Sequence, residues 1–269
     1  MLTDIFENSK QVFLDTVDAK DHVQIDRFST IYQSLKDSVN KPLKMILLYG
    51  KPGTGKSMFL SKLYNDLLPM KRIFLYQNPI LDDSEFFKRL AQDILDVKYQ
   101  GELNFTQFMK IIEEYSSDET PVVLLDEAQL YSSNLMEKIR LLSDTRKIKF
   151  VITLHKTEEE DLIAKEHFQT RIWDTIELEN ASAEELKTYI QKKLMKANCF
   201  DIAHMFKENN VKLIHKLTRG NYRETNKLLY TLFEIYLHYL EFNPSKVNTN
   251  EVSNKLIEMS AIHTGILNA

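Results

Sequence analysis

Residues 50–57 read Gly50-Lys51-Pro52-Gly53-Thr54-Gly55-Lys56-Ser57, and they contain three of the six glycines of this 269-residue chain. An apolar run typical of a buried strand precedes them, and apolar residues at helical spacing follow them. The order is therefore strand, glycine-rich loop, helix. Glycines let backbone N–H groups close around phosphate oxygens, and a helix N-terminus adds positive potential. The stretch predicts a loop that binds nucleotide phosphates; the alternative is a glycine turn that matches by chance.

The pattern G-x-x-x-x-G-K-S is that of the P-loop, in which the fixed positions have chemical roles. We expect Lys56 to reach the β- and γ-phosphates and the Ser57 hydroxyl to ligate Mg²⁺. The implied cofactors are ATP or ADP together with Mg²⁺. The expected nucleotide-binding positions of the loop are Gly50, Pro52, Gly53, Thr54, Gly55, Lys56, Ser57 and Met58.

Strands and helices alternate through the first part of the chain. Short apolar runs predict strands at 44–49, 72–76, 121–126, 149–154 and 175–178. Helical segments separate these runs, which implies a parallel sheet covered by helices on both faces. From Ser182 onward the patterns predict helices only, beginning with a capping box formed by Ser182 and Glu185. We therefore predict an α/β nucleotide-binding domain over residues 1–180, with a helical segment at 1–40, followed by a small all-helical lid domain over 181–269.

Composition and charge limit the cellular compartment and the kinds of partner that we expect for the protein. The formal net charge is −4, so no global basic field draws the chain to DNA or to a membrane. Cys199 is the only cysteine, which rules out an intramolecular disulfide framework and suits a reducing compartment. Residues 1–7 lack the basic and apolar regions of a signal peptide, and no apolar run approaches the ~20 residues needed to cross a bilayer. We expect a cytoplasmic protein, with any location at the inner membrane reached through a partner.

A pair of acidic residues follows the third predicted strand. Val122 to Leu125 are apolar, and Asp126 and Glu127 come directly after them. Two carboxylates at the mouth of an apolar strand are costly to bury without a cation. We expect Asp126 to hold the Mg²⁺ shell and Glu127 to act as the general base that polarises the attacking water. The alternative is an exposed strand end that carries acidic residues.

These features together resemble the AAA+ superfamily of ATPases. Within it, the chain resembles the general secretion pathway protein A (ExeA-like) group, over residues 25–260. That group often carries an Asn-Pro stretch after the second strand, here Tyr76-Gln77-Asn78-Pro79-Ile80-Leu81, and a D-E-A-Q segment, here Asp126-Glu127-Ala128-Gln129. The resemblance implies a doubly wound α/β domain followed by a helical lid, with nucleotide held by both.

The resemblance also implies a polar sensor of the γ-phosphate after the fourth strand. Thr153 and His155 are the candidates, and His155 is favoured because it should project from the strand end. Histidine departs from the usual Asn or Gln there, and the alternative is an ordinary surface histidine. The ExeA-like group also has a segment similar to Gln169-Thr170-Arg171-Ile172. This similarity implies that Arg171 is an arginine finger, which can act in trans. The alternative is a surface arginine.

A third implied element is an arginine in the lid that contacts nucleotide. Arg219-Gly220-Asn221-Tyr222-Arg223 resembles the G-N-x-R motif of this element, which nominates Arg223. The glycine and asparagine give the expected start of a helix. The alternative is a surface salt bridge.

The sequence thus predicts a Mg²⁺-dependent ATPase of the AAA+ type that acts as an accessory, assembly or regulatory ATPase in secretion, pilus function or DNA uptake. A protein partner, from membrane-associated machinery among others, and ATP-dependent self-association are expected. The alternative function is a DNA-binding ATPase of the transposition-helper or origin-binding type. Residues 181–240 carry ten Lys/Arg and six Asp/Glu, a local charge of +4, which is compatible with DNA but does not indicate it. A non-hydrolysing, nucleotide-gated scaffold is disfavoured by the intact Lys56, Asp126 and Glu127.

Overall fold

The computed structural model describes residues 2–14, 23, 25–156 and 172–267. The chain divides into two compact units, each described here by itself. One comprises Thr30–Leu178, and the other comprises Met1–Ser29 together with Glu179–Ala269.

The first unit is built around a five-stranded sheet in the order β2-β3-β4-β1-β5, in which every pairing is parallel. The strands are β1 (Met45–Gly50), β2 (Ile73–Tyr76), β3 (Val122–Leu125), β4 (Lys149–His155) and β5 (Ile172–Leu178). The flanking helices are α3 (Lys56–Leu67), α4 (Asp83–Leu95), α5 (Phe105–Glu114) and α6 (Ser133–Asp144), and α2 (Asp26–Asn40) contributes its residues from Thr30 onward.

The central strands are apolar because both of their faces are covered. All four residues of β3 are buried, as are the first six of β4. Parallel sheets of this kind place helices on their faces, so their strands have no solvated side to alternate with. The predicted parallel sheet with flanking helices is confirmed.

The second unit is all-helical among its described residues. Its helices are α1 (Leu2–Gln11), α7 (Ala183–Lys196), α8 (Phe200–Met205), α9 (Glu208–Thr218), α10 (Tyr222–Phe242) and α11 (Asn254–His263), together with the start of α2. The predicted capping box is present: the Ser182 side chain accepts from the Glu185 N–H, and the Glu185 side chain accepts from the Ser182 N–H. No helix in the described part of the chain is both long and apolar enough to cross a membrane.

The N-terminal segment differs from the sequence-based prediction. We predicted residues 1–40 as part of the α/β domain, whereas the structure groups residues 1–29 with the C-terminal helices. The reason is aromatic packing: the Phe6 ring stacks on Tyr236 of α10, with centroids 5.1 Å apart, and Phe13 stacks on Phe233 at 5.9 Å. Large aromatic side chains dominate the energy of such a core, so they determine which unit α1 joins.

Candidate nucleotide-binding site

The glycine-rich loop lies at the carboxyl end of β1, between that strand and α3. Gly53 has φ 80° and Gly55, the residue that caps α3, has φ 99°. Both values lie in the left-handed region that glycine adopts without steric cost. A Cβ atom on Gly50 would lie 2.2 Å from the Leu178 carbonyl oxygen, so this position requires glycine because β5 approaches closely.

Lys56 occupies the centre of the loop. Its side chain is largely buried, with the residue only 5% exposed, and Nζ donates to the carbonyl oxygens of Gly50 at 2.7 Å and Lys51 at 3.0 Å. Thr54 is fully buried, and its hydroxyl also donates to the Lys51 oxygen, at 2.9 Å. An ammonium is costly to bury, and a phosphate bound in the loop would supply the opposite charge that offsets this cost. The loop therefore has the electrostatic character of a phosphate site.

The acidic pair follows β3 at the same edge of the sheet. Asp126 is buried, and its Oδ1 accepts from the Thr153 hydroxyl at 2.5 Å and from the Glu127 N–H at 3.0 Å. Both of these bonds engage Oδ1. Burial, with a contribution from the Asp126 charge, raises the pKa of the neighbouring Tyr131 to about 12, so this phenol stays neutral.

Glu127 lies on a strained backbone. Its φ of 48° and ψ of 47° are left-handed, which costs a non-glycine residue of order 1–3 kcal/mol. The Glu127 N–H donates both to Asp126 Oδ1 and to Thr153 Oγ1, at 3.0 Å each. Thr153 lies on β4 and is fully buried, so its single hydroxyl ties β4 to the turn that presents the two carboxylates.

The end of β4 lies between the loop and the acidic pair, because β4 is hydrogen-bonded to both β1 and β3. His155 is the last residue of β4 and pairs with Gly50 in the parallel register. Its Nδ1 is 3.2 Å from Gln129 Nε2, and its Nε2 is 3.8 Å from Glu127 Oε1. Of the two sensor candidates, the Thr153 hydroxyl is thus engaged inside the turn, while His155 faces the Glu127 side chain.

The structure brings together one part of the predicted site. The loop residues Gly50 to Met58 and the pair Asp126 and Glu127 lie at the carboxyl edge of one parallel sheet, with His155 between them. Sequence reasoning assigned no role to Gln129, although the D-E-A-Q segment contains it. Arg171 lies outside the described residues, and its predicted role as an arginine finger stays a prediction.

Arg223 belongs to the helical unit. It is exposed and is the second residue of α10, which begins after Asn221, whose side chain accepts from the Glu224 N–H at 3.2 Å. Gly220 has φ 74°, and a Cβ atom there would lie 2.0 Å from the Ala181 oxygen. The glycine and asparagine thus give the helix start expected of the motif, whereas the contact of Arg223 with nucleotide stays a prediction.

Comparison with known proteins agrees with this geometry. Residues 40–163 match the family model described as AAA domain. The fold is similar to the solved structure of Cdc6p from Pyrobaculum aerophilum, with 14% identity and a TM-score of 0.63 over 94% of this chain and 70% of that one. It is similar to a Walker-type ATPase from Pyrococcus abyssi, with 14% identity and a TM-score of 0.59 over 94% of this chain and 77% of that one. It is also similar to the Aeropyrum pernix ORC1 protein, solved in complex with DNA, with 16% identity and a TM-score of 0.59 over 94% of this chain and 69% of that one. No curated protein sequence gives a significant match.

The fold and the loop together define the class. Residues 40–163 match the AAA domain model, and the chain has the AAA+ P-loop NTPase fold, with a parallel five-stranded sheet, flanking helices and a C-terminal helical region. At these levels of identity the likeness to solved structures concerns the fold. The narrower resemblance to the ExeA-like group stays a prediction.

Proposed function

We propose that this protein binds ATP with Mg²⁺ and hydrolyses it, and that it acts as an accessory, assembly or regulatory ATPase. The observation that carries the proposal is the buried Lys56 ammonium at the centre of the loop, at the same sheet edge as the Asp126–Glu127 turn. Neither feature serves the fold alone, because a buried cation and a left-handed glutamate both cost free energy.

The residues present fit a nucleotide and its cation. The backbone N–H groups of the loop and the start of α3 would hold the phosphates, with Lys56 on the β- and γ-phosphates. The Ser57 hydroxyl and the Asp126 carboxylate are oxygen ligands of the kind that Mg²⁺ prefers. When bound, the cation neutralises charge that develops on the phosphates.

Glu127 would act as the general base. Its side chain is about 40% exposed, unlike the buried Asp126, so a water molecule can reach the carboxylate. The carboxylate takes a proton from that water as the water oxygen bonds to the γ-phosphorus. The bond from that phosphorus to the bridging oxygen breaks, and the products are ADP and inorganic phosphate.

Nucleotide binding is tested with a Lys56→Ala variant. We expect ATP binding measured by calorimetry to weaken strongly with the thermal unfolding transition preserved, since the side chain neutralises phosphate charge that backbone dipoles only partly offset. Lys110→Ala, at an exposed position of α5, is the matched control. Equal ATP affinity in both variants would remove the proposal.

The proposed cellular role rests on the ExeA-like resemblance. The resemblance supports a role in secretion, pilus function or DNA uptake, with a protein partner in membrane-associated machinery and with ATP-dependent self-association. Arg171 as an arginine finger and Arg223 as a nucleotide contact belong to the same proposal. The test is mass spectrometry of proteins that co-purify with Glu127→Gln, with and without nuclease; recovery dependent on nucleic acid would contradict a direct protein partner.

A DNA-binding ATPase is the second candidate function. One observation favours it: Lys212 and Lys216 lie one turn apart on α9, Arg219 directly follows the end of that helix, and all three are exposed. Lys212 pairs with Glu208 at 2.6 Å, which offsets part of this charge. DNA binding through this stripe would weaken steeply with salt, because each neutralised phosphate releases counterions. An affinity tighter than about micromolar near physiological salt, lost in Lys216→Glu, would place this candidate first.

A further inference from the structure

We propose that Gln129 and His155 form a positioning pair that orients the Glu127 carboxylate, with Gln129 setting which nitrogen of His155 carries the proton. The inference rests on the proposed ATPase function, in which Glu127 is the general base. Neither residue touches the reacting atoms in this account, and both act through Glu127.

The hydrogen bond between the two side chains determines the histidine tautomer. Gln129 lies in the 3-10 turn Ala128–Leu130, directly after Glu127, and its Nε2 is 3.2 Å from His155 Nδ1. An amide NH₂ group can only donate, so Nδ1 must be the accepting, unprotonated nitrogen. In the neutral ring the proton is then on Nε2, which is the nitrogen that faces Glu127 Oε1.

The resulting N–H group lies near the Glu127 carboxylate but does not form a hydrogen bond with it. The distance from Nε2 to Oε1 is 3.8 Å, which is longer than a hydrogen bond. A partly exposed glutamate otherwise has several rotamers to choose from, and restricting them reduces the entropy lost when the base meets its water. A neutral N–H donor at this distance favours one carboxylate orientation and leaves the carboxylate able to accept a proton.

The amide NH₂ of Gln129 is the group that contacts the histidine ring. Gln129 Oε1 is buried and has no hydrogen-bond partner among the described residues, so Nε2 is the atom through which this side chain acts on His155. Leucine at this position offers no donor, and glutamate offers only an acceptor.

The test compares single and double variants in steady-state ATP hydrolysis. We expect Gln129→Leu and His155→Leu each to lower kcat about three- to tenfold, the effect of one ordinary hydrogen bond, with the ATP Kd within about twofold of wild type. His155→Gln should keep most of the rate, because its amide places an N–H donor where Nε2 was. Gln129→Leu should then have no further effect in the His155→Gln background, where no tautomer has to be set. Gln33→Leu, on an exposed position of α2, is the control.

A spectroscopic readout separates this inference from the proposed function. Two-bond ¹⁵N–¹H spectra of histidine-labelled protein, assigned with His155→Gln, should show the Nε2–H tautomer for His155 in the wild type and its loss in Gln129→Glu. An Nδ1–H tautomer in the wild type, or an unchanged kcat in both leucine variants, would overturn the pair. Absence of any ATPase activity in the wild type would instead overturn the proposed function, and the tautomer measurement would still decide the hydrogen bond.

Discussion

Replacing Thr153 by valine tests how the acidic turn is held. Valine keeps the shape of the fully buried side chain and replaces its hydroxyl with a methyl group. The lost bond to the charged Asp126 is worth ~1.5–3 kcal/mol, and the lost bond from the Glu127 N–H ~0.5–1.5 kcal/mol, since that N–H keeps Asp126 Oδ1 as an acceptor. We expect the free energy of unfolding of the α/β unit to fall by about 2–4 kcal/mol.

The assay is urea unfolding followed by the fluorescence of Trp173, the one tryptophan of the chain, which lies in the α/β unit. Thr153→Ser is the matched control, because it keeps the hydroxyl and loses a methyl group worth ~0.8 kcal/mol. The valine variant should also lower kcat more than it raises the ATP Kd, as the left-handed Glu127 loses a support. A smaller loss of stability in the valine variant than in the serine variant would refute the role given to the hydroxyl.

Two further predictions concern groups away from the acidic turn. Burial, with a smaller contribution from Lys71, lowers the pKa of Lys149 from 10.5 to about 8, while its ammonium donates to the carbonyls of Val39 and Lys41. The unfolded chain keeps this proton up to about pH 10.5, so unfolding takes up a proton between pH 8 and 10.5, and the free energy of unfolding should rise with pH in that window. Subtracting the unfolding free energy of Lys149→Met at each pH isolates the contribution of Lys149. A wild-type-minus-variant difference that is flat or falls with pH would contradict the prediction. The Arg171→Ala variant should bind ATP as before but lose any rise of specific ATPase activity with protein concentration, because an arginine finger acting in trans needs a neighbouring copy. If wild-type specific activity does not change with protein concentration and the variant is unaffected, Arg171 is a surface residue.

Much of the α/β unit could be predicted because its signals are local. The glycine pattern at 50–57 specifies a loop conformation, and the apolar runs specify strands buried on both faces. The first three residues of β5, 172–174, were missed. Residues 172–175 alternate between partly buried and exposed, with Trp173 among the exposed ones, because β5 is at the edge of the described sheet and one of its faces is less covered. A short window there has no continuous apolar run to detect.

Features that depend on contacts between distant segments could not be predicted. The Thr153 hydroxyl reaches Asp126 because Leu125 pairs with Ile152 in the sheet, and no local pattern encodes that register. Gln129 meets His155 for the same reason, across 26 positions of sequence. The helical pattern of α1 predicts an apolar face, but it does not say that this face packs on α10 rather than on the sheet.

Phosphate release at saturating ATP and Mg²⁺ from wild type and Glu127→Gln tests the central claim most directly. The neutral amide keeps the shape of the side chain but accepts no proton, so the rate should fall about 10²–10⁴-fold while the ATP Kd stays within a few-fold. Glu113→Gln, at an exposed position of α5, should match the wild type. A Glu127→Gln variant that releases phosphate at the wild-type rate would contradict the claim that this turn provides the general base of an ATPase.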